Sequence, residues 1–118
     1  MARSTERTKP LPPSVFHILL ALGAEEQHGY AIMQRVEEIT DGSVSMGPGT
    51  LYGSIKRMLA EGLIEETEAR PDPALDDERR RYYRVTADGA RARAIETARM
   101  ETLLQHARAS RGPRLGNA

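Results

Sequence analysis

A mainly helical fold with one small β-hairpin is predicted by three features of the sequence. Prolines and glycines cut the chain into helix-sized pieces, with Pro12-Pro13, Gly23, Asp41-Gly42, Pro48 and Gly62 at the joints. Within most pieces the apolar residues recur at the 3.6-residue period of an amphipathic helix. One stretch late in the chain, Tyr83-Arg84-Val85, alternates instead with the two-residue period of a half-buried strand. The 118 residues suffice for one domain with appendages and not for two ordinary domains. A single Phe and no Trp limit the aromatic core, which favours stabilisation by association.

Composition also excludes several functions. With no cysteine there is no disulfide, thiolate metal site or cysteine nucleophile. No run approaches the ~18 apolar residues of a membrane span, and the opening Met1 to Arg7 lacks the apolar stretch of a signal peptide, so no membrane partner and a cytoplasmic location are expected. His17, His28 and His106 lie in separate segments without metal-binding spacing, and the serines fit no nucleophile elbow. No enzyme, metal or cofactor is expected. Because the formal net charge is zero, contact with nucleic acid has to come from local clusters of cations.

Taken in order, residues 1–11 form a flexible basic arm with Arg3, Arg7 and Lys9, and Pro10, Pro12 and Pro13 keep a helix from running into it. From Pro13 to about Gly23 the chain is apolar nearly all round, as in a helix covered on more than one face. Val15, Ile18, Leu19 and Leu22 serve its own core, while Phe16 and Leu20 point about a quarter-turn away and call for a second subunit. His28 to Ile39 forms a second helix, with Ile32, Val36 and Ile39 on its apolar stripe, ended by Asp41-Gly42.

The third helix organises the chain. Pro48 suits its first position, where the missing N–H is no loss, and Gly62 suits the left-handed residue just past its end. At roughly 100° per residue, Leu51, Ile55, Met58 and Leu59 fall on one side and Gly49, Gly53, Lys56 and Arg57 on the other. The second side is small and cationic, so it can approach a polyanion closely, as a helix reading the major groove must. For this helix alone, a merely solvated amphipathic surface is an equal alternative.

Two short strands, Leu63 to Arg70 and Arg79 to Thr86, flank a hairpin tip at Pro71 to Glu78. Three helices followed by a hairpin describe a winged helix-turn-helix, here residues 12–86. Thr86 caps a last helix at 87–109 with Asp88 near its positive end. Ala94, Ile95 and Ala98 cluster on one side of it, and Met100, Leu103, Leu104 and Ala107 almost opposite. A helix that changes its buried face along its length leaves one body and docks on another, so this is the dimerisation helix. Phe16, Leu20, Ile95, Met100, Leu103, Leu104 and Ala107 form the expected homodimer interface. Residues 110–118 are expected to be a disordered tail.

The candidate DNA contacts start with Lys56 and Arg57, for phosphate or a guanine edge. Gly49 and Gly53 permit close approach, and Thr50 and Tyr52 stand at the helix start, where hydroxyls and free N–H groups bind phosphate; Tyr52 serves equally well as half-core. Arg79, Arg80 and Arg81 form a basic wing edge unless they pair locally with Asp76, Asp77 and Glu78. Tyr30 is a further candidate, with packing as its alternative.

The ordered set Val15 to Leu22, His28-Gly29-Tyr30, Gly47 to Tyr52, Lys56 to Ile64, Arg80 to Thr86 and Gly89 resembles the PadR family of bacterial transcriptional regulators over nearly the whole chain. The resemblance implies a homodimeric repressor on a roughly palindromic double-stranded DNA operator, with the Pro48–Glu61 helix in the major groove and the wing against the backbone. It implies that the first and last helices build the dimer, and that the single helix after the wing makes this a short form. Some members bind planar aromatic effectors at the dimer interface, so an unidentified small-molecule effector joins the expected partners, although no Trp is present to stack on one. The second reading is a winged-helix protein-interaction module whose cationic helix binds an acidic partner.

Overall fold

The computed structural model describes residues 9–67 and 81–110. They form α1 (Pro13–Leu22), β1 (Gln27–His28), α2 (Gly29–Ile39), α3 (Pro48–Ala60), β2 (Ile64–Thr67), β3 (Tyr82–Val85) and α4 (Ala87–Ser110). The core lies among the first three helices: Val15, Ile18, Leu19 and Leu22 of α1 meet Ile32 and Val36 of α2 and Leu51, Ile55 and Met58 of α3, all buried. Each such side chain contributes roughly 1.5–3 kcal/mol by leaving water. Leu11, ahead of α1, and Met46, ahead of α3, also enter the core. Ile39 departs from the expected stripe and stays 37% exposed at the last turn of α2.

The helix ends are closed by specific partners. Gly62 (φ +77°) ends α3: its N–H donates to the Leu59 carbonyl and the next N–H, of Leu63, to Met58 at 2.9 Å, a complete Schellman motif. The last carbonyls of α1 are held by side chains from elsewhere. Gln27 Nε2 donates to Ala21 at 2.8 Å, and Arg93 Nη1 of α4 donates to Leu19 at 3.2 Å. Between α2 and α3, Thr40 Oγ1 donates to the Val36 carbonyl and accepts from the Val44 N–H, closing the turn.

The expected hairpin gains a third strand, giving the order β1-β3-β2 with antiparallel pairs throughout. His28 therefore precedes α2 instead of starting it. It pairs with Tyr82, its ring meets the Tyr82 ring edge-on at 5.4 Å, and its Nδ1 accepts the Ala31 N–H at 3.1 Å as the helix N-cap. A two-residue strand with one polar and one aromatic-like side chain carries no periodicity that sequence alone could register.

The start of α4 is pinned to the end of α3. Thr86 donates its hydroxyl proton to the Gly62 carbonyl and accepts the Gly89 N–H at 3.0 Å, so it caps α4 as expected. Its own N–H donates to the Leu63 carbonyl at 3.1 Å. Gly89 packs directly on that carbonyl, where a Cβ would overlap the oxygen. The inner face of α4 then continues through Ala92 and Glu96, both buried. Ala94 and Ala98, expected on a buried side, are exposed, and Ile95 is half-buried. The buried line is set by the small residues Gly89 and Ala92, which allow close approach, rather than by the bulkier apolar ones. The helix extends one residue beyond the expected boundary, through Ser110, and residues 101–110 are exposed along their whole length.

Gly89→Ala should destabilise the fold by about 1–3 kcal/mol, because the atom it meets is backbone and cannot swing aside. Gly53→Ala is the matched control, since a Cβ there meets nothing within 4 Å and helix propensity improves by up to about 1 kcal/mol. Thermal unfolding of the two variants should move in opposite directions.

Candidate nucleic-acid interface

The face of α3 that turns away from the core carries Gly49, Thr50, Gly53, Lys56 and Arg57, all exposed. Its character follows from what anchors the helix. Leu51, Ile55 and Met58 are at most 2% exposed, so the rotation of α3 leaves the two glycines and two cations outward. Lys56 makes no ion pair among the described residues, whereas Arg57 Nε is held by Glu61 at 3.2 Å, one turn on. Such an exposed i,i+4 pair is worth roughly 0.3–0.5 kcal/mol and opens readily for a stronger anion.

Tyr52 sits at the edge of this face, half-buried. Its ring lies over Gly29, where a Cβ would come within 2.8 Å of the phenol Cζ, so α3 and the start of α2 meet through a glycine. Of its two anticipated roles, packing is the one this contact shows. Next to that contact Tyr30, in the first turn of α2, is 52% exposed. Sequence reasoning found the tyrosines and missed the glycine that makes their placement possible.

At the wing, Arg79, Arg80, Asp76, Asp77 and Glu78 lie outside the described residues. Arg81 is described, and it pairs across the sheet with Glu66 at 3.7 Å. Arg84 is bound more tightly, with Nε donating to Glu65 at 2.6 Å and Glu26 at 3.6 Å from Nη1. The hydrogen bond to Glu65, then the charge of Glu65 and that of Glu26, raise the Arg84 pKa above its ordinary value. The base of the wing thus consists of matched charges.

The remaining apolar surface lies along α1 and α4. Leu11, Phe16, Leu20, Ile39 and Met100 line an open groove of about 360 Å³. Leu20, Met100, Leu103 and Leu104 are 40–56% exposed, and Ala107 lies beyond them on the same free stretch of α4. The groove wall also contains Glu96, only 2% exposed and the one buried charge among the described residues. Its Oε1 accepts the Leu11 N–H at 3.2 Å and the Arg99 Nε–H at 3.3 Å. The sequence signal for Glu96 is its spacing of seven from Gly89 through Ala92, a small-residue stripe that ends on a carboxylate. His17 lines the groove, His28 caps α2 and His106 is exposed, so the three histidines stay apart.

The sequence matches the family model of the PadR-like transcriptional regulators over residues 18–95. The chain belongs to the PadR family. Members are transcription regulators that bind DNA, not enzymes. Among solved structures it is similar to a PadR family transcription regulator from Clostridium difficile, at 21% identity and a TM-score of 0.67, covering 86% of this chain and all of that one. A PadR-like transcription factor from Bacteroides fragilis aligns at 22% identity and 0.66, covering 80% and 86%. A transcriptional regulator from Clostridium thermocellum aligns at 23% and 0.60, covering 85% and 89%. No curated protein matches. These likenesses establish the winged-helix fold of a PadR-family protein with its long last helix, and no helix among the described residues is long and apolar enough to cross a membrane.

Because Glu61 both holds Arg57 and adds negative charge beside the exposed face of α3, Glu61→Gln should strengthen duplex binding by about two- to fivefold, corresponding to the loss of a pair worth under ~1 kcal/mol. Fluorescence titration with a labelled duplex at ~0.1 M salt measures it.

Proposed function

We propose that this PadR-family protein is a cytoplasmic, sequence-specific repressor that binds a roughly palindromic operator as a homodimer. The observation that carries the reading is the two-sided character of α3. A helix locked by Leu51, Ile55 and Met58 offers outward a face on which Gly49 and Gly53 permit close approach and Thr50, Lys56 and Arg57 supply donors. A major groove about 12 Å wide admits such a helix, and an Arg fork matches guanine or phosphate. Tyr30 and Tyr52, beside the amide ends of α2 and α3, would bind backbone phosphate. Arg79, Arg80 and Arg81 of the wing would lie along the backbone without reading sequence.

Homodimer formation is supported by the exposed apolar groups. Phe16 and Leu20 on α1, with Met100, Leu103, Leu104 and Ala107 on the free part of α4 and Ile95 at its root, would meet across a two-fold axis. Such an interface is self-complementary and would set two copies of α3 about one DNA turn, ~34 Å, apart.

Two experiments test these halves separately. Lys56→Ala with Arg57→Ala should leave thermal stability nearly unchanged while weakening binding to genomic fragments selected by the wild type; each lost phosphate contact should reduce the slope of log affinity against log salt by about one. Unchanged affinity in the folded variant would remove α3 from the interface, and binding insensitive to salt would favour an acidic protein partner. Leu103→Glu with Leu104→Glu should convert the dimer to monomer in sedimentation at micromolar concentration and abolish operator binding. A double variant that stays dimeric would show that α4 is not the dimerisation element.

A further inference from the structure

We propose that Gly53 is a specificity-determining residue of the DNA interface, and that the base pair opposite it is selected through the 5-methyl group of thymine. The proposal rests on the DNA-binding reading and adds to it the kind of base edge that α3 takes at the middle of its exposed face. Its first support is that nothing inside the protein calls for a glycine at this position. Gly53 is not among the residues of positive φ, and a Cβ built on it meets no atom within 4 Å among the described residues. Gly29 and Gly89 differ, since the space beside each is filled by Tyr52 and by the Leu63 carbonyl. A glycine inside a helix lowers its stability against alanine, so at Gly53 the return lies outside the protein, where the missing side chain lets another surface reach the helix backbone.

The second support is position. At 100° per residue Gly53 lies roughly 140–160° from Leu51, Ile55 and Met58, which are at most 2% exposed, so it stands at the middle of the outward face. Lys56 falls roughly 60° to one side of it and Arg57 roughly 40° to the other. When α3 enters a major groove about 12 Å wide, Gly53 meets the base edges on the groove floor while the two cations diverge toward the walls.

The third support is what this line of the helix offers. Gly53 has no side chain, and Ala60, exposed two turns further along the same line, has only a methyl group. Neither side chain brings a hydrogen-bond donor or acceptor. Of the groups that base pairs present in the major groove, the thymine methyl is the one that is neither donor nor acceptor. A polar base edge pressed against bare hydrocarbon loses its water without a replacement, whereas a methyl group leaves water there with a gain. The space that a Cβ would take at Gly53 is the size of that methyl group, and the polar edges of neighbouring pairs are left to Thr50, Lys56 and Arg57, which carry donors.

The test uses the full chain and a pool of duplexes with a randomised centre, from which the wild type enriches its preferred site. Deoxyuridine then replaces each thymine of that site in turn, which removes the methyl group and leaves the pairing intact. At one thymine per half-site the loss should be about fourfold, the worth of one buried methyl-sized group. Exchanging that T·A pair for C·G should weaken binding further, and 5-methylcytosine in place of the cytosine should recover about the same fourfold. Gly53→Ala should fold at least as stably as the wild type, bind the selected site about fivefold or more weakly, and no longer distinguish thymine from uracil at that position, because its Cβ takes the volume of the methyl group. If uracil is tolerated at every position, no methyl group is read and the proposal is wrong while the DNA-binding reading stands. If Gly53→Ala keeps the full preference for thymine, the methyl group is read elsewhere and the proposal is equally wrong. A wild type that binds duplex but enriches no site containing thymine overturns it as well. A wild type that binds no duplex at all overturns the DNA-binding reading itself.

Discussion

The structure depends on one crowded point, where Gly89 rests on the carbonyl of Leu63. There the end of α3, the entry to β2, the exit from β3 and the start of α4 are held within a few bonds of each other. Thr86 supplies three of the links, to Gly62, Leu63 and Gly89. Any side chain at residue 89 would push α4 off this point. Because α4 also reaches back through Arg93 to the end of α1, the orientation of the long helix is determined relative to the whole helix-turn-helix rather than by the wing alone. An assembly built on α4 therefore inherits the position of α3, as a DNA-binding dimer requires.

The elements that announce themselves by pattern were legible in the sequence. The core of α1 and α3 follows from apolar spacing, and both ends of α3 from Pro48 and Gly62, because these are local properties of a few adjacent residues. What depends on contacts between distant residues was not. β1 is too short to carry a period, and it exists because Tyr82 and Tyr83 offer an open strand edge to Gln27 and His28. The inner face of α4 was misplaced because its deciding residues are small: Gly89 and Ala92 are chosen for closeness, and the more hydrophobic Ile95 is left half-buried beside them. Glu96 was missed with that face: its spacing from Gly89 and Ala92 marks the buried line, but only its partners, Leu11 and Arg99, explain a carboxylate there.

The charged residues show a similar division. Of the arginines read from the sequence as a basic wing edge, Arg81 is described and pairs with Glu66 on the neighbouring strand; Arg84, outside that reading, pairs with Glu65 and Glu26. Cross-strand ion pairs stabilise a short hairpin modestly and keep its edges from recruiting other strands. A zero net charge therefore does not mean that cations are spread evenly. It allows a paired, electrically quiet scaffold in which Lys56 of α3 makes no ion pair among the described residues and Arg57 is held only by an exposed pair with Glu61.

The hydrogen bond from Leu11 to Glu96 joins residues 85 apart in the chain. Every other contact that builds the helix-turn-helix can form while this loop is still open. Contacts of such long sequence separation form late, because the entropy of closing the loop is lost before the contact returns anything. They are also among the first to open when a native protein fluctuates locally. The first described residues are thus a latch on an already folded body, and their opening would widen the apolar groove that Leu11 and Glu96 help to line without unfolding the helices beneath it.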